Sequence, residues 1–232
     1  MKELALLVPY DYKLLSIAAI LDVFDTVNRI YAENKSALPF KITMVQTTEQ
    51  ITNSNGSVHG YPVKSIHSAF MADIVLIPSF TTQNMKDTIQ KNQSFIPWLH
   101  KQYKAGAEIA SFCTGAFLFG ASGLLDGKPA TTHMDACNNL AATFPLVNVK
   151  PEHTLTADDR CYTSGGATST FHLLVMLVQK YCGNAVAIRI AKIFAIDLDR
   201  YRQSYFSTFR PNHTHNDDLV MKIQQKLETN YL

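Results

Sequence analysis

The chain has 232 residues, 47% of them hydrophobic and 17% charged, with a formal net charge of +2. That length suits one large core or a domain with an appendage, and so small a charge does not argue for nucleic acid or a membrane by itself. The start is too short and too acidic for a secretory signal and is interrupted by Pro9. No apolar run is long enough to span a bilayer. Cysteines 113, 137, 161 and 182 lack the close pairs of a zinc site, so reduced thiols in a cytoplasmic protein are expected. Nothing in the composition asks for a cofactor.

In chain order, residues 4–8 are a continuous apolar run, as in a central parallel strand buried on both faces. Leu14, Leu15, Ala18, Leu21, Phe24, Val27 and Ile30 recur at three- and four-residue spacing and predict a helix. Residues 40–45 alternate as a second strand, and the turn cluster at 53–57 leads into a short edge excursion at 58–63. Residues 73–78 are the next buried strand, ending where Ser79 and Phe80 open a loop expected to face a ligand. Helices are expected over 84–91 and 94–103.

The chemistry concentrates in Ile109-Ala110-Ser111-Phe112-Cys113-Thr114-Gly115-Ala116-Phe117. A buried strand there turns sharply into a helix, with Cys113 at the turn. Small residues two before and two after a reactive atom let strand and helix backbones approach, the logic of a nucleophile elbow. N–H groups at the helix start would favour a thiolate. Beyond it, the pattern predicts a helix over 116–122, a brief strand at 131–133 facing the same crevice, and a helix over 135–143. Short strands follow at 147–149 and 161–163, with a hairpin turn at 157–160. Residues 163–167 open helices over 170–181 and 185–196, the first capped by Gly183. Strands alternating with helices in this order make an α/β, doubly wound, mostly parallel sheet.

Residues 199–217 are polar and proline-containing, as in a linker, and 218–232 form a helix whose stripe of Leu219, Val220, Ile223 and Leu227 cannot bury itself. Either that stripe docks on the main domain or the sequence ends partway into a second one. His213 and His215 beside Asp217 and Asp218 carry metal-ligand chemistry, but their spacing on a linker is that of solvated chain, so no metal site is assigned.

The elbow, the block Leu124-Leu125-Asp126-Gly127-Lys128-Pro129-Ala130-Thr131-Thr132-His133 and Thr163-Ser164-Gly165-Gly166 resemble the PfpI-like branch of the class I glutamine-amidotransferase-like superfamily. More narrowly, they resemble AraC-type transcription regulators with such a domain at the N-terminus. Leu21-Asp22-Val23-Phe24 and the tail, with Arg200, Gln203, His215, Asp217 and the last helix, are similar to that subgroup too. The resemblance implies a flavodoxin-like sensor domain over 1–198, a linker over 199–217, and over 218–232 the first helix of a DNA-binding domain. It further implies a small-molecule effector, a homodimer, and DNA contact only through recognition helices outside these residues.

Departures from the family pattern bear on chemistry. Enzymes of the superfamily place a carboxylate early in the first helix, against the cysteine; here Ser16 holds that position, and Asp22 is nearly two turns further on. The loop that normally offers glycine N–H groups to an oxyanion reads Ser79-Phe80. His172 stands where regulators commonly carry an acid. Ligand-binding candidates are therefore Cys113, Thr114, His133, Ser16, Ser79 and Phe80. Three functions compete: a ligand-sensing regulatory domain; a cysteine-dependent amidase, hydrolase or hydratase using Cys113 with His133 as its base; and a redox sensor at Cys113. The missing carboxylate favours the first.

Overall fold

A computed structural model describes residues 1–52, 57–166, 168–199, 203 and 218–231. The chain runs β1 (Lys2–Leu7), α1 (Leu14–Glu33), β2 (Phe40–Gln46), α2 (Thr48–Thr52), β3 (Ser57–Val58), β4 (Tyr61–Ser65) and β5 (Ile74–Ile77). Next come α3 (Met85–Lys91), α4 (Phe95–Lys104), β6 (Glu108–Phe112), α5 (Gly115–Ala121), β7 (Pro129–Ala130) and a 3₁₀ turn, Met134–Ala136. The remainder is α6 (Cys137–Thr143), β8 (Asn148–Val149), β9 (Leu155–Asp158), β10 (Cys161–Ser164), α7 (Ser169–Cys182), α8 (Asn184–Ile193) and α9 (Asp218–Tyr231).

The eight-stranded sheet has the order β3-β4-β2-β1-β5-β6-β10-β9. From β4 to β10 every pairing is parallel, and antiparallel strands β3 and β9 close the two edges. This is the expected doubly wound, flavodoxin-like α/β architecture. The continuous apolar run of β1 splits between two cores: Leu4 and Leu6 pack with α1, α7 and α8, Ala5 and Leu7 with α4, α5 and α6. Strand order reverses beside β1, between β2 and β5, and ligand crevices of open sheets lie at such a reversal. Among the described residues no helix is long and apolar enough to cross a membrane.

Three local readings change. Leu14 and Leu15 belong to α1 but are 60% and 67% exposed, because Ser16, Ile17, Ile20 and Phe24 form the inward face. The strand expected at 131–133 lies one step earlier, at β7, which pairs with β8. Thr131 N–H instead donates to Thr163 Oγ1 (2.7 Å), and His133 caps the following 3₁₀ turn. The turn read at 157–160 narrows to two residues because Asp159 adopts φ 51°, which frees Leu155–Asp158 to pair with β10. Residues 53–56, Ala167, Arg200, His213, His215, Asp217 and most of the 199–217 segment lie outside the described residues.

Glu108, at the start of β6, carries the clearest pH dependence. Burial pushes its carboxyl up, but hydrogen bonds from Lys180 (2.6 Å), Tyr181 and Tyr162 outweigh that and hold its pKa below the ordinary 4.5. A lowered folded pKa stabilises the fold above the unfolded value, and that contribution disappears as pH falls through the folded one. Glu108→Gln is therefore expected to cost about 1 kcal/mol at neutral pH. It should also flatten the stability–pH curve below pH 4.5, read from urea midpoints between about pH 3 and 6. An unchanged acid limb would show that Glu108 is not its source.

Candidate functional site

β6 delivers Cys113 to the carboxyl end of the sheet. Its φ is 51°, the left-handed conformation that a non-glycine residue adopts at a cost of about 1–2 kcal/mol. Three hydrogen bonds hold that turn. Cys113 N–H donates to Ser164 O (3.1 Å), and Cys113 O accepts from Ala116 N–H (3.2 Å) and from Thr132 Oγ1 (2.8 Å). Gly115 explains the second small residue of the motif: a Cβ there would lie 2.6 Å from Ile77 O and 2.8 Å from Pro78 O. Helix α5 can start against the end of β5 only without a side chain. Cys113 is 4% exposed, and no disulfide joins any of the four cysteines.

The first N–H groups of the loop after β5 are already engaged. Ser79 N–H donates to Ser16 Oγ (3.0 Å), and Phe80 N–H donates to Thr114 Oγ1 (3.0 Å), whose own hydroxyl donates to Phe80 O (2.7 Å). Ser16 thus occupies the place expected for a carboxylate and spends its oxygen on the backbone. The reversal beside β1 is zipped as well. Tyr12 and Phe80 form an antiparallel bridge, Lys13 N–H donates to Ser79 O (2.8 Å), and Thr81 N–H donates to Asp11 O (2.8 Å). Asn92, 0% exposed, pins that loop by accepting from Tyr10 N–H (2.7 Å).

Ser16, Ser79, Phe80, Cys113 and Thr114 are therefore brought together, with His133 entering through Thr132. Imidazole Nδ1 of His133 faces Asp135 N–H (3.3 Å) and the Asp135 carboxylate (3.6 Å), so the ring is oriented by its own turn. The ring also packs against Gly166, where an added Cβ would meet Cδ2 at 2.5 Å. His172 stands apart from this group: its ring nitrogens face Asp197 O (2.8 Å) and Thr168 O (3.4 Å), tying the end of α8 to α7.

Sequence reasoning passed over three residues here. Thr132 bonds the elbow directly. Cys137 donates to His133 O (3.5 Å), and burial, with a smaller repulsion from Asp135 and Cys113, pushes its thiol pKa up. Gln203, which the sequence singles out only as part of the tail resembling the AraC-type subgroup, is 4% exposed and inserted beside Gly165.

Two cavities open elsewhere. One of about 560 Å³ lies between α7, α8 and β9, against Glu152, His153, His172, Gln179 and Asn184. Another of about 370 Å³ borders the zipped loop at Asp11, Thr82, Asp87 and Lys91. Cys113 lines neither. Among the described residues no cluster of His, Cys, Asp and Glu has a geometry to hold a metal ion.

Known proteins were compared with the chain. It is 28% identical over 112 residues to the HTH-type transcriptional regulator CdhR of Pseudomonas aeruginosa, covering 48% of this chain and 33% of that protein. It is 26% identical over 133 residues to the isonitrile hydratase of Pseudomonas putida, covering 57% and 55%. The chain thus spans between a third and just over half of these curated relatives. Among solved structures, an AraC family transcriptional regulator from Pseudomonas putida superposes with a TM-score of 0.66 at 16% identity, over 84% of this chain and all of that one. That likeness speaks for the fold. The profile of the DJ-1/PfpI family matches residues 5–180, the sheet and the elbow included, and the chain belongs to that family.

Proposed function

We propose that this chain is the ligand-sensing part of an AraC-type transcription regulator, dimeric, and without turnover of its own. One observation carries the reading: the two N–H groups that the loop after β5 would offer an oxyanion beside Cys113, those of Ser79 and Phe80, already donate to the hydroxyls of Ser16 and Thr114. What remains at the sheet end is a buried polar surface suited to recognition. An effector there would meet Cys113, Thr114, His133, Ser16, Ser79 and Phe80. Two further features support it: the kinship with CdhR, and α9, whose Leu219, Val220, Ile223 and Leu227 are 46–68% exposed. Such a stripe is what the first helix of a helix-turn-helix unit offers its neighbours.

The isonitrile hydratase kinship supports a second reading, a cysteine-dependent enzyme using Cys113 and His133. Against it stand the occupied amides of Ser79 and Phe80. Gel retardation separates the two. The 232-residue chain should leave DNA from upstream of its own gene unshifted, whereas a regulator carrying its complete DNA-binding region should retard it at about 10 nM or tighter. Binding should survive Cys113→Ala. If the chain alone instead hydrates an isonitrile or hydrolyses an amide, and Cys113→Ala abolishes that turnover, the sensor reading falls.

A further inference from the structure

Gln203 makes a set of contacts out of proportion to a linker residue. Its backbone N–H donates to Glu152 O (2.8 Å). Its side-chain Nε2 faces four acceptors: His153 O (2.9 Å), Thr131 Oγ1 (3.0 Å), Thr132 O (3.0 Å) and Pro151 O (3.3 Å). Oε1 accepts from Gly166 N–H (3.2 Å). A Cβ on Gly165 would lie 2.1 Å from Oε1, so the paired glycines form a flat floor, one under Gln203 and one under His133.

These groups define a chemistry. The four oxygens demand a donor, which excludes a carboxylate. The Gly166 N–H demands an acceptor, which an ammonium lacks. A primary carboxamide supplies both from one planar group. The seat is also wired to the elbow, because Thr132, which accepts from Gln203, donates through its hydroxyl to Cys113 O (2.8 Å).

We propose that this socket is a carboxamide-binding site filled in cis by Gln203, and that a small molecule bearing a primary carboxamide competes for it and so displaces Gln203. The proposal deepens the sensor reading and rests on it for its biological meaning: the ligand that takes the seat is the signal, and the displacement of Gln203 is the output. The neighbouring 560 Å³ cavity shares Glu152 and His153 with the socket and gives the remainder of such a ligand room.

Propionamide, the Gln side chain as a free molecule, is the probe. In Gln203→Ala, tryptic cleavage after Arg202 and methyl methanethiosulfonate labelling of Cys113, read by peptide mass, should each rise about tenfold, the equivalent of about 1.4 kcal/mol. Propionamide should return Cys113 labelling to near the wild-type rate while cleavage stays fast, because the seat is refilled but the chain is not reattached. Propionate should restore nothing. Labelling of Cys161, buried in the core with α4, α5 and α6, reports that the variant is folded; if it rises too, the same readings are taken on Gln203→Asn. Cys113 labelling that ignores the substitution, or protection by propionate equal to that by propionamide, overturns the proposal. Neither outcome touches the DNA-retardation test, so the two readings fail separately.

Discussion

Gly115→Ala is expected to destabilise the protein by about 3 kcal/mol or more and to lower its melting temperature by roughly 10 °C. The added methyl would stand 2.6 Å from Ile77 O and 2.8 Å from Pro78 O, and both are backbone atoms at the end of a central strand. Side chains can rotate away from an intruding methyl; these carbonyls cannot. Ile77 pairs with Ser111, and β5 is held between β1 and β6. Relief must therefore come from α5 backing off, which would pull on Cys113 at its strained turn. Urea titration followed by far-UV circular dichroism measures the loss. A melting temperature within about 2 °C of wild type would show that β5 yields more readily than its pairing implies.

Asn92→Ala should cost about 3 kcal/mol, for a different reason. Its carboxamide accepts from Tyr10 N–H (2.7 Å) and donates to Thr88 O (2.9 Å), fully buried between the loop after β1 and the end of α3. Alanine leaves both groups without that partner and opens a void. Asn92→Asp is the sharper variant, because it keeps the acceptor for Tyr10 but turns a second oxygen toward Thr88 O. It should be no more stable than alanine. Hydrogen exchange at Tyr10 and Lys13 should accelerate in both variants, since Asn92 holds the segment that bridges to Phe80. If aspartate restores wild-type stability, the donor half of Asn92 contributes nothing.

Much of the architecture could be read from the residues because burial leaves a periodic trace. The unbroken run at Leu4–Leu7 announces a strand covered on both faces, and the small residues around Cys113 announce close backbone approach. Leu14 and Leu15 misled because a helix start can carry leucines on its outer side, where only packing decides. The strand expected at 131–133 failed because threonine propensity was overridden by hydroxyl and backbone bonds to Thr163 and Cys113. At the site, Ser16 and the loop Ser79-Phe80 look in sequence like two independent departures from a pattern. They are one hydrogen bond between residues 63 positions apart. Gln203 stood out only through the tail's resemblance, and its burial left no trace, since a single buried amide in a polar stretch has no period.

The occupied amides of Ser79 and Phe80 also determine which reagents can mark this protein. Aldehydes, activated esters and nitriles place negative charge on a carbonyl oxygen or an imide nitrogen when a thiol adds, and here that charge finds no donor in the loop where relatives would supply one. Alkyl halides and thiosulfonates expel their charge with a departing group and need no such donor. A covalent handle on Cys113 is accordingly chosen by what leaves, and warheads tuned to enzymes of the same fold should pass this chain by.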